Sequence, residues 1–184
     1  MRIISGKYAK RRLLTLKSQK TRPTSDKVKE SLFDSLGQYF SGGEVLDLYA
    51  GSGALGIEAV SRGCDHAVLV DINHAAVNVI RQNVMLTKET DKFKVLKMSD
   101  QQALKLLTAK AVKFDLVFLD PPYAKQKISD VMKKLDDFDL LASDSRIIAE
   151  TDDRTDLSVI SDFELLKTHH LGKTIVRIYR KEKA

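Results

Sequence analysis

The chain reads as an α/β protein built on a mostly parallel sheet, and three patterns in its 184 residues point there. From Glu44 onward, short apolar runs alternate with segments whose apolar residues recur every three or four positions, as strands followed by amphipathic helices do. The intervening segments are long enough to return each strand to the same edge of the sheet, and such crossovers are right-handed and cover both faces with helices. The last two runs, "DFELLKTHH" and "KTIVRIYRK", are separated only by a turn at Leu171-Gly172, so that pair must be antiparallel.

In chain order, "RIIS" and "RRLLTL" alternate loosely and predict a hairpin turning near Gly6, followed by a polar linker, "KSQKTRPTS". Ser25 or Asp26 then caps a helix on which Val28, Leu32, Leu36 and Tyr39 or Phe40 share a face, and Ser41-Gly42-Gly43 ends it. Residues 1–40 are expected to form a basic extension and residues 41–184 the α/β domain. Strands are expected in "EVLDLYA", "HAVLVDI", "KFKVLKMS", "FDLVFLD" and "SRIIAET", which with the final pair makes seven. Between them lie helices in "ALGIEAVSRG", in "HAAVNVIRQNVMLT", where Val77, Ile80 and Val84 share a face, in "DQQALKLLTA", and over about 129–138.

Composition narrows the class. With 43% hydrophobic and 30% charged residues and no apolar run of about 18, the chain is expected to be a soluble globular protein. "MRIISGKYAKRRLL" lacks the apolar stretch of a secretory signal, so a cytoplasmic location is expected. A single cysteine, Cys64, excludes an internal disulfide, and His66, His74, His169 and His170 show no metal-ligand spacing, so no metal is expected. His169 and His170, in "KTHHLGKT", read as part of a solvated turn between the last strands.

Charge is unevenly spread. Residues 1–30 hold ten Lys or Arg against two acids, a net of +8, whereas the rest carries 21 basic and 23 acidic groups, a net of −2. A basic segment on a near-neutral body fits a polyanion partner, nucleic acid being the commonest, although a merely solubilising arm has the same composition.

Ligands of open parallel sheets sit beyond the carboxyl ends of the strands. The first strand runs into "DLYAGSGALG", where Gly51, Gly53 and Gly56 have GxGxxG spacing and let backbone approach a ligand at a positive helix end, with Tyr49, Ala50 and Ser52 completing the loop. The second ends in Asp71, followed by Ile72 and placed to accept hydrogen bonds from ribose hydroxyls. The third ends in Ser99-Asp100, where a carboxylate can accept from an adenine amino group or else cap the next helix. These features fit a nicotinamide dinucleotide as well as an adenosine-bearing methyl donor. Asp47 separates the two, because a carboxylate four residues before Gly51 repels a pyrophosphate and attracts the α-ammonium of S-adenosylmethionine.

The fourth strand ends in "FLDPPYAK". Asp120 supplies carboxylate oxygens and Pro121 a carbonyl, in a segment where neither proline has an N–H to occupy them. Two converging acceptors can hold an exocyclic amine so that its lone pair faces a methyl donor, and Tyr123 offers a ring on which an extruded base stacks.

On these residues the chain resembles the bacterial small-subunit ribosomal RNA guanine-N2 methyltransferases of the RsmD type. "RIISGKYAKRRL" and "RPTSDKVKESLFDSL" look like that family's N-terminal signature, "DLYAGSGALGIEAVSRG" like its cofactor loop and "FDLVFLDPPY" like its catalytic strand. The resemblance implies a Rossmann-like class I methyltransferase fold of strand order 3-2-1-4-5-7-6, and a monomer acting on 16S rRNA in a partly or fully assembled small subunit. Asp47, Gly51 and Gly53 would line the methionine side of the cofactor, Asp71 the ribose and Asp100 the adenine. Asp120, Pro121 and Tyr123 would hold the base. Lys10, Arg11 and Arg12 of the basic arm are expected to meet RNA, and Arg22 and Thr24 to meet RNA or cofactor, with a linker cap the alternative role for Thr24. Tyr49 and Tyr123 stand where phenylalanine is familiar, and Glu58 reads as structural. An adenine-N6 methyltransferase, a dehydrogenase and a non-enzymatic RNA-binding assembly factor are the competing readings.

Overall fold

A computed structural model describes residues 1–16, 26–121, 124–152, 157, 160 and 162–181. The expected linker from Lys17, with Arg22, Thr24 and the Ser25 cap, lies outside the described residues.

Seven strands, β1 (Glu44–Asp47), β2 (His66–Asp71), β3 (Phe93–Lys97), β4 (Phe114–Leu119), β5 (Leu141–Asp152), β6 (Phe163–Leu171) and β7 (Thr174–Lys181), form one sheet of order 3-2-1-4-5-7-6. The first five are mutually parallel, and β7 runs antiparallel to both its neighbours. Alternation along each strand divides the core in two. Val45, Leu69, Leu116, Phe118 and Ile148 face α2 (Ala54–Ser61), α3 (His74–Thr87) and the N-terminal extension. Leu46, Val68, Val117, Leu119 and Ile147 face α4 (Asp100–Thr108) and α5 (Ala124–Asp137). This is the double cover that parallel strands require.

Boundaries differ from expectation where one residue's backbone or packing decides. The first helix, α1 (Asp26–Leu36), stops short of Ser41 because Gly37 takes φ of +108°. Phe40 instead folds back edge-on to Phe33, 6.3 Å between ring centres, and Tyr39 stays exposed. Helix α5 starts before residue 129, since Ile128 already belongs to its buried stripe with Val131, Met132 and Leu135. His169 and His170 lie within β6, so the turn is Gly172-Lys173 alone. The N-terminal hairpin reduces to one antiparallel bridge, Arg2 to Arg12, because the N–H groups of Ile4, Ser5, Lys7 and Tyr8 bond to Glu58 and Ser61 of α2 instead of across the hairpin. Gly6, at φ +82°, lies so close to the Ser61 carbonyl that a Cβ would sit 1.8 Å from its oxygen. Lys7 N–H donates to that carbonyl (2.7 Å) and Tyr8 N–H to Ser61 Oγ (2.9 Å).

The deepest link between extension and sheet domain is Glu58 of α2. Its fully buried carboxylate accepts from the N–H groups of Ile4 (2.9 Å) and Ser5 (3.0 Å), from Lys29 Nζ (2.9 Å) and from Arg62 Nε (2.8 Å). Burial lowers the Lys29 pKa, with Glu58 opposing that shift, and the ammonium also donates to the Arg2 carbonyl. Glu58→Ala would leave two cations in a dry interior with their shared anion gone. It is expected to cost about 3–5 kcal/mol in urea unfolding; a loss below about 1 kcal/mol would mean that the cluster is hydrated like a surface pair.

Candidate active site

A cleft of about 940 Å³ opens beyond the carboxyl ends of β1, β2, β4 and β5. Among the expected site residues it gathers Asp47, Tyr49, Ala50, Gly51, Ser52, Asp71, Ile72, Ser99, Asp100, Asp120 and Pro121 into one lining. Gly53 lies buried just behind them, and Tyr123 falls outside the described residues. Among the described residues, no group of three or more His, Cys, Asp or Glu is arranged to hold a metal, and no helix is long and apolar enough to cross a membrane.

The glycine loop has three separate steric reasons. Gly51, at φ +56°, has nothing within 4 Å of where a Cβ would sit, so its face is open to a ligand. Gly53, at φ +77°, starts α2. Gly56 lets that helix press on β2, since a Cβ there would lie 2.3 Å from Leu69 Cδ2. The Gly56 N–H donates to Asp47 Oδ2 (3.3 Å).

Asp47 is the last residue of β1 and is almost wholly buried. Burial, with smaller contributions from Asp120 and Asp71, pushes its carboxyl up to about 7 against the Gly56 N–H. A half-neutral acid beside a cleft fits a cationic ligand group, whose charge would restore the anion, and does not fit a pyrophosphate. Asp71 accepts from Gly51 N–H (2.9 Å) on one oxygen and Asn73 N–H (2.8 Å) on the other, leaving one lone pair on each for a pair of hydroxyls.

Asp100 does not cap α4. Ser99 does, accepting from Gln102 N–H while the Gln102 side chain returns to Ser99 N–H. Asp100 is thereby free to face the cleft, where it accepts from Tyr49 Oη (2.7 Å) and Lys127 Nζ (3.2 Å) on one oxygen and Gln101 N–H (2.9 Å) on the other. Burial pulls its pKa upward, but these three donors outweigh it and hold the carboxyl below its ordinary value. The second lone pair of the Gln101-bound oxygen can accept an amino group. The hydroxyl of Tyr49 thus performs a task that a phenylalanine cannot. Lys127, whose ammonium lies 5.6 Å from the Tyr49 ring centre, had no sequence signal beyond its place after the prolines.

Asp120 stands differently. It is exposed to the open cleft, yet protein around it raises its carboxyl by desolvation to about 6.

Sequence reasoning also missed the wall supplied by the extension. Met1, Thr15 and Leu16 line the cleft with Leu32 of α1. The buried Asn83 of α3 sets them: its Oδ1 accepts from Leu14 N–H (2.8 Å), and its Nδ2 donates to the carbonyls of Leu14 (3.0 Å) and Ser52 (2.8 Å). One amide therefore ties the extension to the glycine loop. Its only sequence signal was a polar residue on the apolar face of a helix.

Of the basic residues expected to meet RNA, Lys10 and Arg12 are exposed. Arg11 is half-buried, donating to the Leu86 carbonyl (2.5 Å) and lying 5.2 Å from the Tyr8 ring centre.

The raised acids make stability depend on pH. Between pH 5 and 7 the folded chain holds protons at Asp47 and Asp120 that the unfolded chain has released, so their contribution falls as pH rises through that window. Asp47→Asn removes most of this slope. The variant is expected to gain about 3 kcal/mol over the parent between pH 5 and pH 8 in urea unfolding; parallel profiles would show Asp47 already charged at pH 5.

Comparison with known proteins identifies the family. YlbH of Bacillus subtilis is 39% identical over 182 residues, spanning 98% of this chain and 99% of that protein. The ribosomal RNA small subunit methyltransferase D of Haemophilus influenzae is 33% identical over 98% of this chain and 93% of its own length. A solved Streptococcus pyogenes structure, described as a conserved hypothetical protein, is 42% identical and superposes with a TM-score of 0.79 over 84% of this chain and 96% of that one. The family described as Conserved hypothetical protein 95 matches residues 1–180, and the chain belongs to it, as an RsmD-type methyltransferase with the Rossmann-like class I fold.

Proposed function

We propose that the chain transfers the methyl group of S-adenosylmethionine to the exocyclic N2 amine of one guanine in 16S ribosomal RNA. It does so as a monomer, in the cytoplasm, on a partly or fully assembled small subunit. That it is an S-adenosylmethionine-dependent rRNA methyltransferase follows from the family and its named relatives. Transfer to an exocyclic base amine is supported above all by one observation: Asp120 opens into the cleft one strand away from the buried Asp47, with Pro121 in the same lining. Guanine rather than adenine is supported by the resemblance of the "RPTSDKVKESLFDSL" segment to the guanine-N2 family.

When bound, S-adenosylmethionine supplies an electrophilic sulfonium methyl. Asp47 holds its ammonium, Asp71 its ribose and Asp100 its adenine amine, while Gly51 admits it to the backbone. The N2 lone pair of guanine is delocalised into the ring, and acceptance of both N–H groups by Asp120 and the Pro121 carbonyl holds the nitrogen and favours its pyramidal form. As N2 gains a methyl it must lose a proton, and the ionised Asp120 is in reach to take it. Tyr123 stacks on the base, and Lys10, Arg11, Arg12, Arg22 and Thr24 engage RNA.

Undermethylated small subunits and labelled cofactor test the assignment. N2-methylguanosine is expected on nucleoside mass spectrometry; N6-methyladenosine instead would transfer the reading to the adenine class. Asp120→Ala should lower kcat at least about 100-fold with cofactor affinity retained, and the parent kcat/KM should fall as pH drops through about 6, where the carboxylate protonates.

The arm is tested by charge reversal rather than deletion, because removing residues 1–20 would take Ile3, Tyr8 and Leu13 from the core. Lys10→Glu with Arg12→Glu is expected to weaken RNA binding and flatten its salt dependence by about one unit of log–log slope per lost phosphate contact. An unchanged slope would assign the arm no phosphate contacts.

A further inference from the structure

The half of the cleft beyond β4 and β5 has a donor and acceptor pattern of its own. Phe118 pairs with Ile148 and Leu119 with Ala149, so carrying the parallel register one step on brings Glu150 abreast of Asp120. Alternation puts Glu150 on the face of Ile148, and its β7 partner is Val176. Phe118, Ile148 and Val176 thereby make an apolar floor, with Leu32 of α1 in the same lining. Glu150, half-buried, rises from that floor, and Lys173, exposed on the β6–β7 turn, closes the rim.

The polar rim above this almost wholly buried floor is suited to the edge of a base. Along the Watson–Crick edge guanine presents the N2 amine, then the N1–H donor, then the O6 acceptor. Adenine presents an acceptor at N1 and a donor at N6. A carboxylate beside the amine-holding group matches N1–H and repels the lone pair of adenine N1, while a cation at the next place matches O6. Adjacent strands lie about 4.8 Å apart, close enough for two carboxylate side chains to converge on neighbouring donors of one ring.

We propose that Glu150 determines base specificity, its carboxylate accepting the N1–H of the target guanine next to the amine held at Asp120, with Lys173 donating to O6. The inference rests on the guanine-N2 reading and extends it from the reacting amine to the rest of the base edge. The reacting nitrogen alone does not distinguish guanine from 2-aminopurine, which carries the same N2 amine but has a lone pair at N1 and no O6. Glu150 does.

The test uses the full chain and small subunits reconstituted with 16S rRNA bearing either guanine or 2-aminopurine at the methylated position, located first with the parent enzyme. The parent is expected to prefer guanine by about 100-fold or more in kcat/KM, because the analogue leaves the site's polar groups unpaired. Glu150→Gln, whose amide can donate to an N1 lone pair, is expected to lose about 10–100-fold on guanine and to collapse the preference, with the dissociation constant of S-adenosylmethionine unchanged. Should Glu150→Gln fold poorly by thermal melting, Glu150→Asp serves: it keeps the carboxylate and must keep the preference at a raised KM. A Glu150→Gln enzyme with the parental preference, a Glu150→Asp enzyme without it, or a parent that methylates both bases equally overturns the proposal. Absence of N2-methylguanosine from the parent reaction overturns the guanine reading itself, a separate result.

Discussion

The buried carboxylate of Glu58 is the contact on which the arrangement of this molecule most depends. Two backbone N–H groups of the extension, an ammonium from α1 and the guanidinium of Arg62, which caps the end of α2, converge directly on one anion. A buried charge is tolerated only when its lone pairs are filled, and here four donors fill them. The consequence is geometric. With residues 4 and 5 and α1 clamped to α2, the chain must continue past Tyr8 and Leu13 along α3, where Asn83 catches Leu14 and passes its other proton to the glycine loop. The extension therefore serves as one wall of the cleft as well as a basic arm.

The cleft itself trades stability for reactivity. Asp47, Asp71 and Asp120 stand at or just past the ends of three strands of one parallel sheet; burial raises the carboxyls of Asp47 and Asp120, and Asp120 and Asp71 add to the shift at Asp47. A protein selected only to fold would place apolar residues there. Asp100 shows the opposite solution, a carboxylate kept anionic by Tyr49, Lys127 and a peptide N–H. Two kinds of acid therefore share the cleft: Asp47 and Asp120, held toward the neutral form by burial, and Asp100, held as an anion by its donors.

Charge counted along the chain overstated the surface available to RNA. Of the ten cations among the first thirty residues, Lys29 is interior, Lys7 pairs with Glu89, Arg2 with Asp26, and Arg11 is spent partly on a carbonyl and a ring. Glu58 and Glu89 are invisible to the composition of the first thirty residues, because those ion pairs join segments far apart in sequence. Glu58 was equally opaque: one acid on a small helix has no local mark that says whether it faces water or four donors in the interior.

The strand order, the double cover and the ends of the strands could be read from the sequence because they follow from local rules. A period of two or 3.6 identifies an element, parallel strands demand crossovers, and the glycines and prolines that end elements act through their own backbone. Asp47, Asp71, Asp100 and Asp120 were legible for that reason, each being the residue at or just after a strand end. What only the folded chain decided is everything that depends on distance between elements. The early stop of α1 at Gly37, the capture of Asp100 by Tyr49 and Lys127, the Asn83 bridge and the alignment of Glu150 with Asp120 all arise from register and packing across the sheet, and no periodicity within a single segment encodes the separation of two others.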